Sequence, residues 1–167
     1  HRKPSLSFIG SLDWAPNLEG LEWFLNKVWP QLHHKYPELQ FHVAGRNMPE
    51  SLRKKEGNNV IIHGEVEDAA AFVNQHGISI VPLLSGSGMR AKILEAMSLG
   101  RTVVTTSVGV EGIEASHGKE VMIADTPDQF IREICTCLDN FRYMEKIGRA
   151  AEATFTEKYC RMNIAER

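Results

Sequence analysis

Short apolar runs rich in β-branched residues alternate with amphipathic helical runs along this chain of 167 residues. The six strand-like runs are LSFIG (6–10), LQFHVAG (39–45), NVIIHG (59–64), ISIVPLL (78–84), RTVVTTS (101–107) and EVMIA (120–124). Such alternation is typical of a parallel sheet, because parallel strands need long crossover connections that are usually helical. The sequence therefore predicts an α/β fold, a doubly wound, Rossmann-like parallel six-stranded sheet with helices on both faces.

Helical patterns fill the intervals between these runs. In residues 17–35, leucine and valine side chains recur at spacings of three and four, and Asn17 is the predicted N-cap. Thr126 and Gln129 have the spacing of a capping box, which predicts a helix that begins at Pro127. The other predicted helices are residues 67–75, a segment that Gly100 ends, and residues 141–159.

Composition narrows the classes of partner. The 19 basic and 21 acidic side chains leave a formal net charge of −2, so no overall field attracts nucleic acid or an anionic membrane. No apolar run approaches the roughly 18 residues that a transmembrane helix needs. The histidines and the three cysteines lack the spacing of a metal site or a disulfide framework. We expect one cytoplasmic domain, residues 1–167, with no bound metal.

Residues 85–100, SGSGMRAKILEAMSLG, begin at the carboxyl end of the fourth predicted strand. The two glycines let the backbone turn and approach a ligand, and the free N–H groups of the following helix point toward it. A helix N-terminus ordinarily favours acidic residues, but this one carries Arg90 and Lys92. The pattern predicts a pyrophosphate-binding site, with Glu95 one turn further along to accept hydrogen bonds from a sugar diol.

Other interpretations of the same residues are open. SGSG is also typical of a surface turn, and Lys92 with Glu95 could form an ordinary ion pair on a helix surface. The segment 86–91 satisfies the G-x-G-x-x-G/A pattern of dinucleotide-binding proteins, but that pattern belongs after the first strand, which disfavours a nicotinamide cofactor. A P-loop would need Gly-Lys-Ser/Thr where Ala-Lys-Ile stands. The glycines and cations together, at the end of this strand, favour an anion site.

The longer segment SGSGMRAKILEAMSLGRTVVTTSVGVEGI resembles the donor-nucleotide segment of GT-B glycosyltransferases of family 4, which commonly reads G-x-G-x-R-x-K-x-x-E-A-M-x-x-G-x-P-V-V-x-T. FIGSLDWAPNLEGLEWFLNKVWPQL resembles the first strand and helix of the C-terminal half of these enzymes. HVAGRN and VIIHGEVED are similar to the ends of its second and third strands. The resemblance covers nearly the whole chain and implies the second half of a GT-B fold.

The resemblance also implies an activity and a set of site residues. The activity is a retaining, metal-independent transfer of a hexose-type sugar from a nucleotide-diphosphate donor to a glycan or lipid-linked acceptor. Arg90 and Lys92 would hold the leaving diphosphate, and Glu95 would bind the ribose hydroxyls. The remaining implied donor contacts are Gly86, Ser87, Gly88 and Met89 at the phosphates and donor sugar, Gly64 and Val66 at the base, and Gly10 and Asn17 after the first strand. Bacterial polysaccharide or lipopolysaccharide synthesis is the usual setting of similar proteins.

The chain also departs from the family pattern. Many members carry a glutamate eight positions before Glu95, where this chain has Ser87, and Thr102 replaces a proline. GT-B enzymes place the acceptor in a separate N-terminal domain. We therefore expect a fragment that binds donor without turnover, whose segment 141–167 packs toward that absent domain, with any contact at the inner membrane made through the same domain.

Two other classes of function remain as alternatives. One is a non-catalytic nucleotide-sugar or phosphosugar binding module, with which Ser87 and an absent acceptor domain are compatible. The other is a phosphoacceptor-type regulatory domain, but that would need an acidic cluster at the end of the first strand, where only Asp13 is found.

Overall fold

The computed structural model describes residues 5–86 and 90–160, without the side chains of Arg90 and Cys160. Six strands form one parallel sheet in the order β3-β2-β1-β4-β5-β6. The strands are β1 (Ser5–Ile9), β2 (Gln40–Ala44), β3 (Val60–Gly64), β4 (Ile78–Val81), β5 (Thr102–Thr105) and β6 (Met122–Ile123). The predicted α/β, doubly wound Rossmann-like fold is confirmed.

Seven α-helices accompany the sheet within the described residues. They are α1 (Ala15–Lys27), α2 (Trp29–Lys35), α3 (Glu50–Arg53), α4 (Ala69–Asn74), α5 (Arg90–Ser98), α6 (Pro127–Asp139) and α7 (Phe141–Thr154), and α7 continues into a π-helical segment (Phe155–Cys160). None of the helices in this part of the chain combines the length and the apolar character needed to cross a bilayer.

Side chains that alternate along the strands enter two separate cores, one on each face of the sheet. In β5, Val104 joins a core with Phe24 of α1 and Phe130 of α6. Its neighbour Val103 joins the other core, which contains Met97 of α5. Both faces are therefore covered by helices, as a parallel sheet requires.

Proline explains two of the places where the structure departs from a predicted element. The predicted helix 17–35 is divided at Val28 into α1 and α2, because Pro30 in the first turn of α2 has no N–H to continue the hydrogen-bond ladder. The predicted strand 78–84 ends at Val81, since Pro82 cannot donate to a neighbouring strand.

The structure contradicts one predicted N-cap and confirms another. The N-cap of α1 is Trp14, and Asn17 lies inside the helix, so the assignment of Asn17 as N-cap is wrong. The predicted N-cap of α6 is confirmed, because Gln129 N–H donates to Thr126 Oγ1 at 3.2 Å. The reciprocal bond of the predicted capping box is displaced by one residue, since Gln129 Oε1 accepts from Asp125 N–H at 2.7 Å and the N-cap residue is Thr126.

Backbone hydrogen bonds join the carboxyl ends of the first three strands. The N–H of Gly10 donates to the carbonyl of Ala44 at 3.1 Å, and the N–H of Gly45 donates to that of Gly64 at 2.8 Å. A Cβ on Gly45 would lie 1.9 Å from the Gly10 carbonyl oxygen, so only glycine fits. The close approach creates a shallow floor at this edge of the sheet.

Candidate functional site

A cleft of about 590 Å³ lies over this edge, within the size range of small-molecule sites. Gly10 and Gly45 line it at the ends of β1 and β2, and Val66 lines it after β3. Trp14 forms part of one wall just before α1, and Lys92 enters from the first turn of α5. Residues from five elements therefore meet at the place where doubly wound sheets bind their ligands.

Lys92 is the half-buried cation of this cleft. Its Nζ donates a hydrogen bond to the carbonyl oxygen of Ile9 at 3.0 Å. Burial lowers the pKa of Lys92; the attraction of Glu95 opposes this shift, and the repulsion of Arg46 adds to it. Among the described residues no carboxylate lies within ion-pair distance of Lys92. A desolvated cation in such a position is stabilised by an anionic ligand.

Arg46 is a second cation that lines the cleft, and the sequence analysis missed it. It follows β2 directly, in the segment HVAGRN, and its side chain is exposed. The one feature of the sequence that pointed to Arg46 was its position just after a predicted strand, at the carboxyl edge of the sheet. Trp14 also lines the cleft without having been predicted, and Glu65 lines it between the predicted residues Gly64 and Val66.

The predicted site residues divide into those that the cleft brings together and those that lie beside it. Gly10, Asn17, Val66 and Lys92 all line the cleft, although they come from four separate parts of the chain. Gly64 lies just before Val66 at the end of β3 and has a positive φ of 72°. Its carbonyl is the acceptor for Gly45, so it supports the floor.

Glu95 and Gly86 are not among the residues that line the cleft. Glu95 is half-buried on α5, close enough to act electrostatically on Lys92. Gly86 has a φ of 88°, and a Cβ there would lie 2.9 Å from Pro16 Cγ and 3.3 Å from Trp14 Cζ2, so this glycine packs closely against both residues. Ser87, Gly88 and Met89 lie outside the described residues, as does the side chain of Arg90.

Asn17 anchors the loop after β1 and does not cap α1. Its side chain is only 4% exposed, and Nδ2 donates to the Ser11 carbonyl at 2.9 Å. Its Oδ1 has no hydrogen-bond partner among the described residues. The amide therefore fixes the loop after β1 and leaves one acceptor unsatisfied beside Gly10.

The arrangement can bind an anion. Two cations face one cleft whose floor is glycine backbone, which lets a ligand approach closely. The described residues contain no group of three histidine, cysteine or carboxylate side chains placed to hold a metal ion.

Comparison with known proteins relates this chain to sugar-transferring enzymes. Residues 3–140 match the family described as Glycosyl transferases group 1. An uncharacterized 44.6 kDa protein in the cps region of Klebsiella pneumoniae is 34% identical over 161 residues, which cover 91% of this chain and 42% of that protein. The chain therefore spans less than half the length of this relative.

Solved structures show the same fold at low sequence identity. The C-terminal domain of the glycosyl transferase group 1 family protein LpcC from Francisella tularensis has a TM-score of 0.74 at 17% identity, with 94% of this chain and 86% of that chain covered. Anabaena Alr3699/HepE, crystallised in complex with UDP and glucose, has a TM-score of 0.77 at 16% identity, with 97% and 47% covered. The fold is thus that of the C-terminal Rossmann-like domain of a GT-B glycosyltransferase. Because the family match extends over most of the sequence, this chain belongs to the glycosyl transferases group 1 family.

Proposed function

We propose that the chain is the donor-binding domain of a glycosyltransferase and that a nucleoside-diphosphate sugar occupies the cleft over β1, β2 and β3. The observation that carries the proposal is Lys92, whose ammonium group is half-buried in the cleft without an ion-pair partner among the described residues. Desolvation raises the free energy of this charge, and a diphosphate in the cleft would lower it again. Family membership makes a sugar donor the natural source of that diphosphate.

In the proposed reaction, the bond between the donor sugar and the diphosphate breaks and negative charge grows on the leaving phosphate. Lys92 and Arg90 would stabilise that charge, which is the kind of preorganised electrostatic effect that accounts for much of enzymatic rate enhancement. Glu95 would accept hydrogen bonds from the ribose hydroxyls. The backbone at Gly64 and Val66 would contact the base. We propose that the transfer retains the anomeric configuration and needs no metal ion.

Two similar proteins support a more specific donor and setting. HepE was crystallised with UDP-glucose, which favours a uridine nucleotide and a hexose here. The Klebsiella relative lies in a cps region, which favours the assembly of a bacterial surface polysaccharide on a glycan or lipid-linked acceptor. The acceptor would be bound by a separate N-terminal domain of the full-length protein, and the reaction would take place in the cytoplasm or at the inner membrane.

A thermal-shift titration tests the donor site directly. Wild-type protein is titrated with UDP, GDP, ADP, NAD and inorganic phosphate, alongside Glu95→Ala and the exposed control Glu111→Ala. A ligand at about 100 times its Kd stabilises by roughly 2.7 kcal/mol, which raises the Tm by several degrees. We expect one nucleoside diphosphate to raise the Tm of the wild type and of Glu111→Ala, and to raise that of Glu95→Ala less. A shift with NAD alone, or no shift at all, would remove the support for a sugar-nucleotide site.

Catalysis needs a separate measurement on the full-length protein. Transfer of sugar from the nucleotide that binds this domain, lost in Lys92→Ala, would identify an enzyme. Donor binding without transfer or hydrolysis would identify a non-catalytic binding module.

A further inference from the structure

We propose that Arg46 is a phosphate ligand of the donor site, so that the diphosphate is bound between the β2 loop and Lys92 of α5. This inference rests on the proposed function, since it concerns the same cleft and the same class of ligand. It adds a cation from a part of the chain that the glycine-rich segment does not include.

Arg46 and Lys92 act on each other electrostatically. Arg46 and Lys92 line the same cleft, and the positive charge of Arg46 contributes to lowering the pKa of Lys92. Two like charges that face one cavity repel each other, and the repulsion is greater where solvent is partly excluded. An anion between them would convert this repulsion into two attractive contacts. A diphosphate carries enough charge to satisfy both.

Hydrogen bonds hold the backbone of the loop after β2, which contains Arg46 and Asn47. The carbonyl of Arg46 accepts a hydrogen bond from Leu12 N–H at 3.0 Å. The next residue, Asn47, has a positive φ of 59°, and its Nδ2 donates to Asp13 Oδ2 at 2.9 Å. These contacts fix the backbone on both sides of the Arg46 Cα before any ligand binds. Preorganisation of this kind reduces the entropic cost of binding.

Asp13 is an acidic group whose charge interacts with that of Arg46. Arg46 contributes to lowering the pKa of Asp13, but the main cause is the hydrogen bond from Ser11. The Asp13 carboxylate already accepts hydrogen bonds from Ser11 Oγ and Asn47 Nδ2. No ion pair joins it to Arg46 within the described residues. The guanidinium therefore keeps its donors for a ligand, and its planar fork matches the oxygens of a phosphate.

Inorganic pyrophosphate separates phosphate recognition from recognition of the base. Binding of pyrophosphate and of UDP is measured by calorimetry for the wild type, Arg46→Gln, Arg46→Lys and Arg149→Gln. Arg149 is an exposed arginine of α7 that pairs with Glu145, and it serves as the matched control. We expect Arg46→Gln to weaken both ligands by a similar factor of about ten or more, as for loss of a charge-assisted hydrogen bond. Arg46→Lys should be intermediate, and Arg149→Gln should match the wild type.

A second readout reports on the unliganded protein. The pKa of Lys92, followed by NMR of its side chain, should rise in Arg46→Gln because a repelling charge has been removed. An unchanged Lys92 pKa together with unchanged Kd values would overturn the proposal. Weaker UDP binding with unaltered pyrophosphate binding would also overturn it, since Arg46 would then contact the nucleoside.

These binding measurements distinguish failure of the Arg46 assignment from failure of the proposed function. If the wild type binds neither a nucleoside diphosphate nor pyrophosphate, both the function and the inference fail. If nucleotide binds and Lys92→Ala weakens it while Arg46→Gln does not, the donor site stands and the assignment of Arg46 fails.

Discussion

Lys92 Nζ lies 3.0 Å from the carbonyl oxygen of Ile9, the last residue of β1. The contact joins the start of α5 to a strand that precedes it by 83 positions. It places the ammonium group at the level of the strand ends, where a ligand bound in the cleft would meet it. The lysine thus acts at a fixed depth, unlike an exposed lysine that moves freely in solvent.

Replacement of Lys92 by methionine removes the charge and keeps most of the side-chain volume. We expect the Kd for the bound nucleoside diphosphate to rise by roughly 10-fold to 100-fold, since hydrogen bonds to charged groups contribute about 1.5–3 kcal/mol. The free energy of unfolding without ligand should change little, because the lost contact is offset by removal of a desolvated charge. Calorimetry and urea unfolding measure the two quantities.

The exposed Lys119→Met is the matched control for this variant. It should bind nucleotide like the wild type. An equal loss of affinity in both variants, or none in Lys92→Met, would contradict a direct role for Lys92.

The sheet could be predicted from sequence because its signals are local. Each strand is a short run of β-branched and aromatic residues, and its position depends on little beyond the run itself. The errors at 17–35 and 78–84 have the same cause, since the apolar pattern continues through Pro30 and Pro82 while the hydrogen-bond ladder cannot. Periodicity reports burial, whereas proline acts on the backbone.

The site could be predicted only in part, for a topological reason. Lys92 and Glu95 lie in one segment, so their spacing was visible in the sequence. Arg46 reaches the same cleft because β2 lies next to β1, which in turn lies next to β4. That order is a property of the tertiary structure. Asn17 lines the cleft, but its burial within α1 depends on packing against Gly10, which the sequence does not show.

Replacement of Gly20 by alanine tests how closely α1 packs on the segment after β4. Helix propensity favours alanine over glycine by about 1 kcal/mol. A Cβ on Gly20, however, would lie 2.0 Å from the carbonyl oxygen of Pro82, so backbone must move. We expect a net destabilisation of roughly 2–3 kcal/mol, measured by urea unfolding.

Gly77→Ala provides the comparison, since its added Cβ would meet only the flexible side chain of Met144, with Cε at 3.4 Å and Sδ at 3.7 Å. This variant should unfold close to the wild-type midpoint. A gain in stability for Gly20→Ala would show that α1 can shift without a cost in free energy, which would contradict close packing of Gly20 on the Pro82 carbonyl.

Replacement of Thr126 by alanine removes the N-cap of α6. The Gln129 N–H would lose its acceptor, and we expect the free energy of unfolding to fall by about 1 kcal/mol. Thr126→Ser keeps the hydroxyl and should retain most of the stability. Equal losses in the two variants would assign the effect to the threonine methyl group instead of the cap.

We expect the free energy of unfolding to fall in acid because of three histidines beside α4. The rings of His42 and His76 stack with centroids 4.2 Å apart, and His42 Nδ1 lies 2.8 Å from His63 Nε2. Burial lowers the pKa of His76 to about 4, and repulsion from His42 and His63 adds to the shift. Burial likewise lowers the pKa of His42, with His63 adding to it.

Because the pKa values of His76 and His42 are lowered in the folded state, protonation of these rings favours the unfolded chain. The folded pKa of His76 lies below the unfolded value near 6.5, so the unfolded chain takes up protons first. The stability from neutral His76 is complete above about pH 6.5 and is lost as the pH falls toward 4; the loss is at most on the order of 3 kcal/mol. Urea unfolding between pH 7 and pH 4 measures this slope. His76→Gln should flatten it, whereas the exposed control His34→Gln should leave it unchanged. An unaltered slope in His76→Gln would assign acid sensitivity to other groups, because the histidine whose ring must be protonated would then be absent while the effect persisted.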